Sequence, residues 1–170
     1  MTARDMKGNT LPAIETPSDD KLRVYGDMLF LAFRSPRHSR MPVSVLRRYL
    51  EPAVETGQFR LFRFDGVPRG MFTWAFLNAE AEVKLITGVP LEPEDWQSGD
   101  RLWIIDLIAP YRGLMTSIGR WMMQRGNVTD REFRFRRVSG ENDTRRIVHV
   151  DFDRPRLSRV MTEQEFLDGL

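Results

Sequence analysis

The chain has 170 residues, a length typical of one domain with a single hydrophobic core. Hydrophobic residues make up 41% and charged residues 29%, with a net charge of +2 at neutral pH, as in ordinary soluble proteins. Cysteine is absent, which excludes a disulfide framework and metal sites built on thiolates.

Residues 1–19 are polar and contain Pro12 and Pro17, so we expect a loose N-terminal arm followed by one domain over residues 20–170. The N-terminus has no apolar stretch of the secretory type. No run of 18 or more apolar residues occurs, so we expect no transmembrane segment and a cytoplasmic location.

Two helices are predicted at the start of this domain. Asp19 or Asp20 is the expected cap of the first, which runs to about Arg34, and its apolar second half, MLFLAF, should be largely buried. The second has Pro42 in its first turn and ends at Gly57, since proline suits a helix start and glycine a helix end.

A strand-like alternation of apolar and polar residues follows. The segments QFRLFRF and GMFTWAFL flank the turn signal DGVPR and predict an antiparallel hairpin. The segment NAEAEVKLI fits a short helix or a strand equally well. After a loop rich in proline and glycine, a strand from about Arg101 to Ile108 is apolar on both faces.

The last third continues with GLMTSIGRWMMQRG, a helix that we expect to end at Gly126. EFRFRRV and RRIVHVDF then alternate around the turn SGENDT, which predicts a second hairpin. Thr162 and Glu165 have the spacing of a capping box and predict a C-terminal helix. The order indicates an α+β fold, with helices packed on a mostly antiparallel sheet.

Two residues stand out as candidates for chemistry. Asp106 lies inside the apolar strand, where an ionised carboxylate is costly unless it is paired or functional. His38 lies in a short polar joint between the two helices, held on both sides by Pro36 and Pro42. The other histidine, His149, lies with Ile147 and Asp151 on one side of a predicted strand, which favours a structural or surface role over a functional one.

Several kinds of site have little support in the sequence. Two distant histidines without cysteine are too few for a metal site, so none is predicted. No dinucleotide or phosphate-loop motif occurs. Arg112 and Gly113 stand where a helix follows a strand, and free backbone amides at such a helix start could hold an anion.

Three segments resemble the RTX toxin-activating lysine acyltransferases, of the hemolysin-activating C-protein type. They are SPRHSRMPVS (35–44), GVPRGMFTWAFLNAEAEVKLI (66–86) and EDWQSGDRLWIIDLIAPY (94–111), within a similarity that spans about residues 22–125. The resemblance implies a fold similar to that of the GNAT acyltransferases without their usual coenzyme A phosphate loop. The pattern R-x-x-G-x-G/A is indeed absent from the sequence.

The resemblance also implies an activity and its residues. The family transfers a fatty acyl chain from acyl-acyl carrier protein to the ε-amino groups of internal lysines of an RTX protoxin. By motif match, the essential His and Asp of the family fall on His38 and Asp106. His38 would then act as the general base and Asp106 as its partner, and direct transfer is favoured over a covalent acyl-His intermediate.

Partners follow from the same resemblance. We expect acyl-acyl carrier protein as co-substrate, an RTX-type protoxin as acceptor, no bound cofactor and no nucleic acid, and a homodimer, since members of the family tend to dimerise. Arg134 and Arg136 of the predicted second hairpin, with Arg112 and Gly113, are the expected contacts of the acidic carrier, and the alternative for the hairpin is a solvated sheet face that binds no partner. Two alternatives are a GNAT-like enzyme that uses acyl-coenzyme A on another amine, and a non-catalytic basic adaptor protein.

Overall fold

The computed structural model describes residues 4–139 and 142–170. The helices are α1 (Asp19–Ala32), α2 (Val43–Thr56), α3 (Ala79–Ile86), α4 (Leu114–Met122) and α5 (Glu163–Leu167). The strands are β1 (Phe59–Phe64), β2 (Val67–Leu77), β3 (Arg101–Ile108), β4 (Glu132–Ser139), β5 (Asp143–Asp151) and β6 (Ser158–Met161). Residues 1–3 of the predicted arm lie outside the described residues, as do Gly140 and Glu141 of the predicted turn SGENDT.

The described strands form one six-stranded open sheet in the order β1-β2-β3-β4-β5-β6. Neighbouring strands are antiparallel except β3 and β4, which are parallel because α4 carries the chain back between them. The predicted α+β class, a mostly antiparallel sheet with helices packed on it, is confirmed. Strand β6 is not among the predicted elements, since its four residues, SRVM, give too short a pattern to recognise.

Helices cover both faces of this sheet. On one face, α1 and α2 pack over Met71 and Ile108, and α3 and α5 pack beside them around Trp103. On the other face, α4 packs Ile118 and Met122 against aromatic and aliphatic side chains of β2–β5. The loop between α1 and α2 therefore lies on the opposite side of the sheet from α4.

The first helix differs from its prediction at both ends. Its N-cap is Ser18, whose hydroxyl accepts a hydrogen bond from the Lys21 amide, rather than Asp19 or Asp20. The helix ends at Ala32, and Phe33 beyond it is 65% exposed. The predicted burial of the stretch MLFLAF holds except at Phe33: Met28, Leu31 and Ala32 are fully buried, and the two residues between them are half-buried. Phe33 is exposed because a helix on a sheet surface buries only one stripe.

Other boundaries follow from local chemistry. The ambiguous segment NAEAEVKLI is a helix because the Asn78 side chain caps it at the Ala81 amide. The predicted end of α4 at Gly126 is wrong: the helix stops at Met122, and Gly126 lies in the following turn. The capping box of Thr162 and Glu165 is confirmed. Within the described part of the chain, no helix is both long and apolar enough to cross a bilayer.

Candidate active site

His38 opens a short 3₁₀ turn, His38–Arg40, in the joint between α1 and α2. Backbone hydrogen bonds hold this joint, with the Ser39 amide on the Ser35 carbonyl and the Met41 amide on the His38 carbonyl. The His38 side chain points inward, and the residue is only 3% exposed. Because its backbone is held in place and its imidazole is buried, His38 is a positioned group rather than a solvated loop histidine.

A β-bulge sets the direction of Asp106. Thr73 of β2 pairs with Asp106, but the next residue of β2 pairs with Ile104, so Ile105 is an extra residue in β3. Strict alternation would turn Asp106 to the face of Ile104, which packs toward α4. The extra residue instead turns it to the face covered by α1 and α2, where His38 lies.

The two candidate residues are in direct contact. His38 Nε2 lies 2.7 Å from Asp106 Oδ2, and Asp106 is only 6% exposed. The second carboxylate oxygen, Oδ1, accepts a hydrogen bond from the Leu107 amide at 2.9 Å. Arg37 Nη1 lies 3.8 Å from the same oxygen. Asp106 is therefore a paired carboxylate, which offsets the cost of burying its charge.

These contacts decide the protonation state of Asp106. Burial by itself would raise the pKa of this carboxyl group. The hydrogen bond from His38, the charges of His38 and Arg37 and the Leu107 amide outweigh burial, so the pKa lies below its ordinary value. An ionised Asp106 accepts a hydrogen bond from Nε2–H, which leaves Nδ1 as an acceptor in the neutral form of the imidazole.

Ser35 completes a line of three side chains. Its Oγ lies 2.7 Å from His38 Nδ1 and donates to that nitrogen when Nε2 carries the proton. Ser35 belongs to the segment SPRHSRMPVS of the family resemblance, but no role was predicted for it. Its spacing of three residues from His38, in a tight turn, is the signal that could have identified it.

The three side chains border a cavity of about 530 Å³, which we call the strand-gap cavity. It lies where β3 and β4 separate: the strands pair at Trp103 with Arg134 and at Ile104 with Phe135, and within the described residues their ladder ends there. Its other lining residues are mostly apolar and come from both faces of the sheet. They are Ile104, Ile105, Leu107, Met115, Gly119, Met122, Met123, Phe133, Phe135 and Val138, with Arg37, Arg136 and Arg137.

A second cavity of about 880 Å³ adjoins the first and is here called the arginine cavity. It lies against α2 and the loop before it, and four of its lining residues are arginines: Arg37, Arg40, Arg48 and Arg136. Among the described residues that line it, none carries a carboxylate. The two cavities share Arg37, Ile105 and Arg136, so a ligand that spans both would pass beside the Asp106–His38 pair.

Arg134 and Arg136 are less exposed than the predicted docking face requires. Arg134 forms an ion pair with Glu132 at 3.1 Å. Arg136 donates hydrogen bonds to Asn142 and Thr144, and its guanidinium lines both cavities. Burial lowers the pKa of the Arg136 guanidinium, but an arginine keeps its charge near neutral pH. Arg136 is thus part of a cavity wall, whereas Arg134 lies outside both linings.

The predicted anion contacts at the start of α4 also lie apart from the cavities. Arg112 is exposed, and Gly113, the N-cap of the helix, has a left-handed backbone with φ of 77°. Neither residue is among the described residues that line the two cavities. Their role in binding a donor stays a prediction.

One further cluster brings three side chains of metal-ligand type together. Glu132, His149 and Asp151 place their ligand atoms within 4.8 Å of one another on β4 and β5. His149 Nε2 lies 2.7 Å from Glu132, which supports its predicted structural role. Arg134 pairs with Glu132 and Arg154 with Asp151, so arginines already balance both carboxylates.

The comparisons with known proteins all point to the same family. The HlyC model of the RTX toxin acyltransferase family matches residues 18–151. The RTX-I toxin-activating lysine-acyltransferase ApxIC of Actinobacillus pleuropneumoniae is 33% identical over 147 residues, which cover 84% of each chain. The protein-lysine myristoyltransferase RtxC of Kingella kingae is 45% identical over 93 residues. The protein-lysine palmitoyltransferase CyaC of Bordetella bronchiseptica is 36% identical over 101 residues.

The extent of these matches differs. The similarity to RtxC covers 54% of this chain and 56% of the relative, and the similarity to CyaC covers 59% and 54%. The chain thus spans about half the length of these two relatives, whereas it spans most of ApxIC.

Proposed function

Because the chain belongs to the RTX toxin acyltransferase family, we propose that it is a protein-lysine acyltransferase that activates an RTX-type protoxin. It moves a fatty acyl group from a thioester donor to internal lysine ε-amino groups. The observation that carries this chemistry is the line of Asp106, His38 and Ser35 at the wall of an apolar cavity. An acceptor amine and a long acyl chain can meet there with a base already in place.

The acceptor lysine must give up its ammonium proton to solvent before it can attack a thioester, since the reference pKa of its amine is about 10.4. The neutral amine must then lose one more proton as it becomes an amide. His38 Nδ1 is the acceptor for that proton, and it contacts the Ser35 hydroxyl, which lines the cavity. As the amine nitrogen bonds to the carbonyl carbon, its proton passes to Ser35 Oγ and the hydroxyl proton passes to Nδ1. The C–S bond then breaks, and the His38 cation, stabilised by Asp106, returns the proton to the leaving thiolate.

Direct transfer agrees with this geometry better than an acyl-His intermediate does. Both ring nitrogens of His38 are engaged, Nε2 with Asp106 and Nδ1 with Ser35. A nucleophilic imidazole would have to give up one of these bonds before it attacked the donor. A general base can act while both hydrogen bonds stay in place, so the arrangement supports His38 as the general base.

The proposed donor is an acyl-acyl carrier protein, and the chain itself needs no bound cofactor. Acidic carriers fit the arginine cavity, where Arg40 and Arg48 are exposed and, within the described residues, form no ion pair. We place the carrier at these two arginines, with Arg136 in the wall behind them. Binding by Arg112, Gly113 and Arg134, the homodimer and the cytoplasmic location stay predictions.

The test uses the purified chain with an RTX-type protoxin as the acceptor. Myristoyl-acyl carrier protein and myristoyl-coenzyme A are offered separately, and protoxin peptides are analysed by mass spectrometry. We expect acylated lysines with the carrier donor. Transfer from coenzyme A alone would favour the GNAT-like alternative, and no transfer from either donor by folded protein would contradict the proposed function.

A further inference from the structure

We propose that Gly119 of α4 sets the length of the acyl chain that the enzyme accepts. The inference rests on the proposed function, because it names an acyl chain as the occupant of the strand-gap cavity. Gly119 would act as a specificity residue: it leaves open the space at the α4 end of the cavity where the chain ends.

The local structure of α4 does not explain a glycine at this position. After proline, glycine is the least favourable residue inside a helix, so it lowers helix stability in the middle of α4. A Cβ atom added to Gly119 would meet nothing within 4 Å. Gly70 on β2 differs, since a Cβ atom there would lie 2.7 Å from Ile118 Cδ1. Close packing explains Gly70, whereas Gly119 faces empty space.

That space belongs to the strand-gap cavity. Met115, Gly119 and Met122 recur at helical spacing and line the cavity from α4, with Met123 beside them. Methionine side chains are unbranched and adaptable, which suits an occupant whose chain is flexible. Gly119 is the lining residue on this helix without a side chain, so it determines how much room remains.

The opposite end of the same cavity holds Ser35, His38 and Asp106. A thioester carbonyl beside Ser35 would therefore have its acyl chain directed between β3 and β4 toward α4. The volume of about 530 Å³ is in the range that binds small-molecule ligands, roughly 300–1,000 Å³. The apolar lining favours the chain, whereas the neighbouring arginine cavity favours the charged part of the donor.

The experiment measures kcat/KM for Gly119→Ala and Gly119→Leu with decanoyl, lauroyl, myristoyl and palmitoyl donors on the same carrier. Each methylene that loses its place should lower kcat/KM about fourfold, from the transfer free energy of a buried methylene. We expect Gly119→Ala to lose about fourfold with the longest accepted chain. Gly119→Leu should lose roughly tenfold or more with that chain, while shorter chains keep their rate.

Gly26→Ala and Gly26→Leu are matched controls. Gly26 is exposed in the middle of α1, a Cβ atom there also meets nothing within 4 Å, and it lines neither cavity. These variants should keep the wild-type chain-length profile. Thermal unfolding verifies that every variant is folded, and the two alanine variants should match or exceed the wild-type melting temperature.

Two results would overturn the inference and leave the proposed function intact. One is an unchanged chain-length profile in folded Gly119→Ala and Gly119→Leu. The other is an equal loss of kcat/KM at every chain length, which would place the arm of the carrier, rather than the acyl chain, in the strand-gap cavity. Wild-type protein that transfers none of the four chains would overturn the proposed function and this inference together.

Discussion

His38 Nε2 and Asp106 Oδ2 lie 2.7 Å apart because β3 carries one extra residue, Ile105. Side chains alternate along a strand, so one added residue moves every later side chain to the other face. Trp103 before the bulge and Ile108 after it therefore both face the helices α1–α3. The bulge thus brings a strand carboxylate and a loop imidazole together, although 68 residues separate them.

Ser35→Ala tests the hydroxyl on His38 Nδ1. The variant loses the hydroxyl that contacts Nδ1 and lines the cavity, and the rate at saturating donor and acceptor should fall by about tenfold to a hundredfold. Ser39→Ala is the control, because Ser39 is exposed and lines neither cavity. A wild-type rate in Ser35→Ala would remove Ser35 from the proton path.

Charge reversal tests the site of carrier docking. Arg40→Glu combined with Arg48→Glu should raise the apparent KM for the carrier, leave kcat nearly unchanged and weaken the salt dependence of the rate. Exposed charges act mainly on encounter and are screened over about 10 Å at 0.1 M salt.

Two other charge reversals complete the docking experiment. Arg23→Glu with Arg156→Glu is the control, since both arginines are exposed and line neither cavity. The second comparison is Arg112→Glu with Arg120→Glu. If this double variant raises the KM for the carrier and the Arg40→Glu, Arg48→Glu variant does not, the carrier docks at the start of α4.

The pKa of Asp106 predicts how stability depends on pH. Because this pKa is lowered in the folded protein, the unfolded chain binds more protons near pH 4, and stability rises with pH there. The contribution is complete above the ordinary pKa of about 3.9 and is lost as the pH falls through the lower folded value. Asp106→Asn should be less stable than wild type at pH 7.

The measurement is the urea midpoint of both proteins between about pH 7 and pH 3. We expect the difference in urea midpoint between wild type and Asp106→Asn to become smaller below about pH 4, as Asp106 becomes protonated. A difference that stays constant over this range would contradict a lowered pKa in the folded state.

Glu82 provides a test of stability away from the site. It is fully buried in α3, accepts a hydrogen bond from Trp103 Nε1 at 2.7 Å and pairs with Arg101. Glu82→Ala leaves the indole N–H without its acceptor and should lower the free energy of unfolding by about 3 kcal/mol. Glu80→Ala, on the exposed side of the same helix, should change it by less than about 0.5 kcal/mol. Equal effects would show that the buried pair adds no stability.

Local sequence signals predict much of this fold. The hairpin of β1 and β2, the apolar strand β3 and the capping box at Thr162 depend on residues that are neighbours in the chain. Elements set by distant partners were missed or misplaced. Strand β6 exists because it pairs with β5, and Phe33 is exposed because α1 buries only one stripe against the sheet.

The candidate site, too, could be predicted only in part from the sequence. His38 and Asp106 could be identified from the proline-framed joint, the apolar strand and the family resemblance. The bulge at Ile105 and the separation of β3 from β4 depend on strand register, which no short pattern in the chain reveals. For the same reason, the sequence placed Arg136 on an exposed hairpin, whereas it lines both cavities.

The most direct test of the account compares acyl transfer by wild type, His38→Ala, Asp106→Asn and the double variant, with protoxin acylation followed by mass spectrometry. Residues that act as a unit give losses that do not add. Each single variant, with its fold verified by circular dichroism, should lose about a thousandfold or more in rate, and the double variant should be little worse. A folded His38→Ala protein that acylates the protoxin at nearly the wild-type rate would contradict the role of His38 as the general base.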